Sequence, residues 1–210
     1  MSHKFRASSL AEIMTDPKSK DENLSAGAKT FVENIAKRLV YGYEESVTSK
    51  YMEKGILVED RSIELYNAVF FTSYAKNTER KTNNWITGEA DIVTPSKIID
   101  IKSSWSIPTF PARVAAGKDK TYEWQLRAYM WLWDIDQAEI AYCLVDTPDE
   151  LISYENEQLH SVSHINPELR VTVVPYQRDR ALESKIVTRV EAANAYLDLM
   201  VKQIATEHTY

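Results

Sequence analysis

The chain has 210 residues, of which 44% are hydrophobic and 27% charged, and a formal net charge of -6. That composition suits one globular domain with a sizeable core and excludes a low-complexity or disordered chain. The net charge argues against a protein that merely coats DNA, no apolar run reaches the ~20 residues that span a bilayer, and the single cysteine, Cys143, excludes an internal disulfide.

The first residues, "MSHKFRASSL", lack the apolar core of a secretory signal. Together with a lone thiol in the apolar run "AEIAYCLV", this places the protein in the cytoplasm, away from membranes. "FRASSLAEIM" contains a helix start at which Ser8 is a candidate cap. The polar turn "TDPKSKDENLS" follows. Ser25 then caps a helix whose apolar residues recur at helical spacing up to Gly42. Residues 47–71 read as mostly helix, and "TERKTNNW" as a polar loop.

"WITGEADIV" and "KIIDIKSSW" read as two strands joined by the tight turn "TPS". "PTFPARVAAGKDK" is a loop, and "YEWQLRAYMWLWDI" an amphipathic helix. "AEIAYCLVD" and "ELRVTVVPY" are strands on either side of a helix at 148–160, and a long helix ends the chain. This order predicts an α/β fold, with a central mixed β-sheet flanked by helices. It also predicts a single domain over 1–210, with a helical segment at about 1–75 and a catalytic sheet core at about 76–180.

Charge is unevenly spread. Residues 134–168 hold nine acids and no Lys or Arg, whereas 76–127 hold nine basic residues and six acids. The middle of the chain can present a positive surface to phosphate; the alternative is unevenly solvated faces.

Residues i and i+2 of a strand share a face, so Asp100 and Lys102 point one way while Ile99 and Ile101 point the other. Inward charges are costly unless they are paired or hold a metal. If "TPS" closes a hairpin, Asp91 approaches Asp100 across the ladder. Two carboxylates, with the backbone carbonyl of Ile101, offer hard oxygen ligands suited to Mg²⁺ or Mn²⁺. A neighbouring lysine can orient or help deprotonate a water. The competing reading of Asp-x-Lys alone is a salt bridge on an edge strand.

These residues resemble the PD-(D/E)xK nuclease superfamily, which has a restriction-endonuclease-like core. "GEAD" ends at Asp91, and "IIDIKSS" carries Asp100 and Lys102. The proline usual before the first aspartate is Ala90 here. "KGILVEDRSIELY" looks like the Gly-x-x-x-Glu helix of the phage lambda exonuclease-like (alkaline exonuclease) family, with Gly55 and Glu59 at the matching positions and Glu64 facing elsewhere. "YEWQLRAYMWLW" resembles the family's Gln-x-x-x-Tyr helix through Gln125 and Tyr129, which lie four apart on one face.

The resemblance covers roughly residues 50–135. It implies that Glu59 joins the metal ligands and that Gln125 positions phosphate or water. It likewise implies that Ser8 or Ser9, with Arg6, binds a 5′-phosphate. The spacing of Arg6 and the serines departs from the family pattern. Arg113, Lys118 and Lys120 are candidate phosphate contacts, and Trp105 a residue near the substrate. The tryptophans of the 122–135 helix read as core.

The function that follows from the resemblance is a 5′-to-3′ exonuclease. It would digest one strand of double-stranded DNA from its ends, leaving 3′ single strands for recombination by strand annealing. The resemblance also implies a homotrimer ring and a single-strand annealing recombinase partner, in a phage or prophage setting within a bacterial host. The acid-rich 134–168 segment is a candidate outer surface for that partner. Two alternatives are a RecB-like structure- or single-strand-specific nuclease and a catalytically silent DNA-end-binding module. The four cysteines common in one RecB-like branch are missing, and the complete Asp91, Asp100 and Lys102 set disfavours a silent module.

Overall fold

The structure, a computed structural model, describes residues 3–44 and 49–207. Seven strands and seven helices are defined among them: β1 (Phe5–Arg6), α1 (Ala11–Met14), α2 (Ala26–Tyr41), α3 (Lys50–Leu57), α4 (Glu59–Phe70), β2 (Lys81–Thr82), β3 (Ile86–Gly88), β4 (Ile92–Val93), β5 (Ile98–Ser103), α5 (Lys120–Trp133), β6 (Gln137–Cys143), α6 (Asp149–Ile152), β7 (Val171–Gln177) and α7 (Arg180–Glu207). Val47 and Thr48, where the helix after Gly42 was expected to begin, lie outside the described residues.

Local chemistry sets the helix ends. Ser25 Oγ accepts from the Ala28 N–H at 3.1 Å, and Gly42 closes α2 in the left-handed region at φ 65°. Ser49 caps α3 through Met52, and Asp119 caps α5 through Thr121 at 2.6 Å.

The larger sheet has the order β4-β5-β6-β7, with β4 antiparallel to β5, β5 parallel to β6 and β6 antiparallel to β7. It is the mixed sheet expected. The face carrying Ile99 and Ile101 packs with Ala141 and Cys143 against Ile63 and Tyr66 of α4. The opposite face, with Ile98 and Ile140, packs against α5 in a core that extends to α1, α2 and α7. Each fully buried isoleucine of these layers contributes about 1.5–3 kcal/mol.

Two expectations are corrected. "WITGEADIV" is two strands, not one: β3 belongs to a smaller sheet, β1-β3-β2, and β4 to the larger. The break falls at Glu89–Asp91. There Asn77 takes the Asp91 carbonyl with its backbone N–H (2.7 Å) and the Ala90 carbonyl with its side-chain amide (2.9 Å). Those carbonyls are therefore lost to any ladder. The helix expected at 148–160 is only the four residues of α6. Ser153, at φ 55°, ends it, and Asn156 bonds the Gln158 N–H to start a separate 3-10 turn.

Five of the nine acids in the acid-rich segment pair with bases from outside it. Asp134 and Asp136 pair with Arg178, Glu139 with Lys97, Asp146 with Arg61, and Glu155 with Lys50. Asp149, Glu150, Glu157 and Glu168 remain exposed on the surface. Among the described residues no helix is long and apolar enough to cross a membrane.

Behind the end of β5 lies a fully buried lysine. The Lys54 ammonium donates to the carbonyls of Ser104 (2.7 Å), Trp105 (3.0 Å) and Val145 (2.9 Å). Burial pushes its pKa down to about 8, so at neutral pH it stays an ammonium, with a donor for each carbonyl.

Candidate active site

The "TPS" turn closes a hairpin, as its sequence implied: Thr94 and Lys97 bond across it, and Ile92 pairs with Ile99. Carrying that register one step sets position 91 opposite position 100, on one face. The Asp91 carboxylate accepts the Ile101 N–H at 2.6 Å, which fastens it to β5 between Asp100 and Lys102. The two aspartates therefore meet.

Asp100 is completely buried, and its Oδ2 lies 2.7 Å from the Lys102 ammonium. The salt bridge of the competing reading is therefore present, on a strand that pairs with β6 along its length and with β4 only at Ile98 and Ile99, but Asp91 is not unrelated to it, since its carboxylate is tied to Ile101. Gln125 reaches in from α5. Its Nε2 donates to Asp100 Oδ1 (3.1 Å) and to the Tyr129 hydroxyl (2.9 Å). The carboxylate dictates that amide orientation, because an oxygen turned toward Asp100 would be repelled. Both N–H groups are thus used, and Oε1 is the atom left to accept. Tyr122, not singled out by the sequence, places its ring 4.8 Å beneath the Lys102 ammonium.

The electrostatics are those of crowded carboxylates. Burial, and then the charge of Asp100, push the Asp91 carboxyl up to about 7, although Lys102 and the Ile101 N–H oppose the shift. Burial would lower the Lys102 pKa, but Asp100 and Asp91 outweigh it and hold the group above its ordinary value. Lys102 is therefore a cation here.

A divalent cation fits this donor set. Asp100 Oδ2 is buried without a hydrogen bond, with only the ammonium beside it. By contrast the other buried carboxylate, Glu139, is satisfied by the Tyr66 hydroxyl and Lys97. No cluster of three or more His, Cys, Asp or Glu able to hold a metal occurs among the described residues. Two carboxylates suit Mg²⁺, which keeps several waters, better than a metal needing a full protein cage.

Glu59 begins α4 and pairs with Lys76 at 2.6 Å. It is close enough to Asp91 to raise that group's pKa, so it is a neighbour of the pair with a cation of its own. Glu64 is exposed elsewhere on α4.

Arg6 and Ser8 line a cleft of about 170 Å³ with Arg80, Thr87, Glu89 and Tyr129. Tyr129 joins it to Asp100 through Gln125. Ser8 caps no helix: the 3-10 turn Ala7–Ser9 is preceded by Arg6 and has no side-chain cap. Ser9 lies outside the cleft's lining and donates to the Arg6 carbonyl. A slightly larger hollow, about 220 Å³, is lined by none of these residues, and its Lys185 and Arg189 are already paired with Asp16.

Gly88 explains how closely the cleft approaches α5. A Cβ there would sit 2.8 Å from Tyr129 Cε1 and 3.0 Å from Ala7 Cβ. Gly88→Ala is expected to cost about 1–3 kcal/mol through overpacking and to displace Tyr129. Thermal unfolding and cleavage rate should fall together.

Trp105 is buried. Its indole N–H donates to Glu155 (2.9 Å) and its carbonyl accepts from Lys54 and Thr147. It is a packed, hydrogen-bonded residue. Arg113, Lys118 and Lys120 are exposed and make no ion pair among the described residues. Their loop is tied to the Lys102 side of the sheet, because Tyr142, opposite Lys102, donates to the Gly117 carbonyl (2.8 Å). Arg80, Lys76 and Glu89 escaped the sequence reading; their only signals were the basic stretch from Lys76 to Lys81 and an acid two residues before Asp91.

No protein-family model and no curated protein matches the sequence. Among solved structures, a phage-related exonuclease from Haemophilus somnus 129PT is 38% identical, with 97% of each chain covered and a TM-score of 0.91. The alkaline exonuclease LHK-Exo from Laribacter hongkongensis shares the fold at 18% identity, with 97% of this chain and 92% of that one covered and a TM-score of 0.67. A second LHK-Exo structure, in complex with dAMP, aligns with a TM-score of 0.68.

Proposed function

The chain belongs to the phage-related, lambda-type exonuclease family and is a deoxyribonuclease; from that premise we propose that it is a metal-dependent enzyme that digests one strand of double-stranded DNA from its 5′ end. The observation that supports this best is the convergence of Asp91, Asp100, Lys102 and Gln125 at β5, next to a cleft holding Arg6 and Arg80.

Asp91 and Asp100, with the Ile101 carbonyl and Glu59 nearby, would hold Mg²⁺ or Mn²⁺. When bound, that ion would polarise the scissile phosphate and offset its developing charge. The protein's own groups do the positioning. Gln125 Oε1 accepts from the attacking water rather than binding a phosphate oxygen, itself an acceptor. Lys102, held as a cation, orients that water and stabilises negative charge growing on the phosphoryl oxygens. The water oxygen bonds to phosphorus and gives up a proton to bulk water, the P–O3′ bond breaks, and the 3′ oxygen takes up a proton from bulk water. The released nucleotide and the new DNA end each carry a 5′-phosphate.

The cleft lined by Arg6 and Ser8 would seat the terminal 5′-phosphate. The exposed Arg113, Lys118 and Lys120 would contact backbone phosphates. The same reading extends to a homotrimer ring and to an annealing recombinase partner meeting the exposed acids Asp149, Glu150, Glu157 and Glu168. Sedimentation tests the first, and charge reversal of those acids in a pull-down tests the second.

The nuclease reading is tested with Mg²⁺ and duplexes labelled at either end, with and without a 5′-phosphate. Mononucleotides should appear from 5′-phosphorylated ends. Cleavage of covalently closed circles would instead make the protein an endonuclease.

A further inference from the structure

The first turn of α5 brings a second side chain to the charged pair on β5. Tyr122 and Gln125, three positions apart, lie on one face of that helix. Gln125 donates to Asp100 Oδ1 at 3.1 Å, Lys102 meets Asp100 Oδ2 at 2.7 Å, and the ring centroid of Tyr122 lies 4.8 Å from the Lys102 ammonium. Two residues of α5 and two of β5 thus form a closed set around one buried carboxylate. The aromatic ring is itself held in place. Asp119, the cap of α5, accepts the Tyr122 N–H at 3.4 Å. Tyr142 packs against the ring with centroids 6.3 Å apart, and its own hydroxyl donates to the Gly117 carbonyl at 2.8 Å. The Tyr122 hydroxyl makes no hydrogen bond among the described residues, so the face of the ring is what this residue offers to Lys102.

We propose that Tyr122 is a positioning residue for cleavage: the face of its ring keeps the Lys102 ammonium in place while Asp100 is engaged with a divalent cation. The inference rests on the reading of Lys102 as the group that orients the attacking water. The physical reason is that the ammonium shares its other partner. A divalent cation taken up by Asp91 and Asp100 draws on the carboxylate that holds the ammonium, and its positive charge repels that ammonium. Lysine has a flexible four-carbon stem and a strongly hydrated head. Without a second holder it swings toward solvent, to which 23% of the Lys102 side chain is already open. The negative face of an aromatic ring attracts a cation without neutralising it. A further carboxylate at this position would hold the ammonium too, but it would bind the metal and cancel the charge that Lys102 brings to the phosphoryl oxygens. The ring of Tyr122 does neither.

The test measures single-turnover cleavage of a 5′-phosphorylated duplex with Mg²⁺, together with duplex affinity. It compares wild type, Tyr122→Phe, Tyr122→Leu, and Tyr122 replaced by phenylalanine carrying one, two or three ring fluorines. Tyr122→Phe keeps the ring face and should cleave within about twofold of wild type. Each fluorine withdraws charge from that face while nearly keeping the ring's shape, so the rate should fall stepwise. The trifluorinated ring and Tyr122→Leu should lose roughly 2- to 30-fold, the range of a cation–π contact, with affinity unchanged. A second readout needs no cleavage. The Lys102 ε-methylene NMR signal, assigned by its loss in Lys102→Arg, should be displaced by the ring current in wild type with and without Mg²⁺. In Tyr122→Leu it should return to the position of an ordinary lysine. A flat fluorine series in an enzyme that Lys102→Ala disables overturns the role of Tyr122 and leaves the mechanism standing. So does a displacement that disappears when Mg²⁺ is added. A fully active Lys102→Ala protein overturns both. Because the fluorinated rings preserve packing, the result stands even where leucine impairs folding.

Discussion

Lys102→Ala is expected to slow DNA cleavage by about 10²–10⁴-fold, the range for removing a group that handles a proton or charge in the transition state. The ammonium lies 2.7 Å from Asp100 Oδ2 and over the ring of Tyr122, so alanine removes the cation from a site with two carboxylates. The fold should persist. Asp91, whose carboxyl burial already pushes upward, can take up a proton, which removes its repulsion with Asp100, and Gln125 still donates to Asp100. Release of labelled mononucleotides from a 5′-phosphorylated duplex measures the rate, and a thermal melt confirms folding. Duplex binding should survive, because Arg6 and Arg80 are untouched. A fully active Lys102→Ala protein would sink the mechanism.

Lys54→Met carries the largest expected cost to stability. Methionine keeps most of the apolar stem but deletes three donors from a fully buried position. The Trp105 carbonyl retains the Thr147 hydroxyl at 2.8 Å; the Ser104 and Val145 carbonyls lose this partner. Leaving a buried acceptor unsatisfied costs about 1–3 kcal/mol, so the variant should lose about 2–5 kcal/mol. In a chain of this size that lowers the melting temperature by about 2–4 °C per kcal/mol. An unchanged melting temperature would mean that other donors replace the ammonium. The consequence reaches the site, because two of the residues held by Lys54, Ser104 and Trp105, directly follow the strand that carries Asp100 and Lys102.

The strand that carries Asp100 and Lys102 was legible because its signal is local. Alternation put Asp100 and Lys102 on one face and Ile99 and Ile101 on the other, and the ladder keeps that arrangement. Gln125 and Tyr129, four apart on a capped helix, had to share a face, and they are hydrogen-bonded to each other. Trp105 was misleading for the opposite reason. Its burial depends on Glu155, Lys54 and Thr147, contributed by distant parts of the chain. Nor could the acidic stretch show which of its acids are paired, since Arg178, Lys97, Arg61 and Lys50 reach it from outside and leave Asp149, Glu150, Glu157 and Glu168 exposed.

From its sequence alone this protein has a fold class, helix ends and a strand with two charged groups on one face, since each depends on neighbours within a few positions. Tertiary structure decided whether Asp91 reaches Asp100, and did so by ending β3 early and tying the aspartate to the Ile101 N–H. It also decided that Glu59 answers to Lys76, and that Arg6 and Ser8 share a cleft with Arg80 and Glu89. Those contacts join residues 10 to more than 70 positions apart. Spacing along a chain carries no information about such distances until a packed core fixes them.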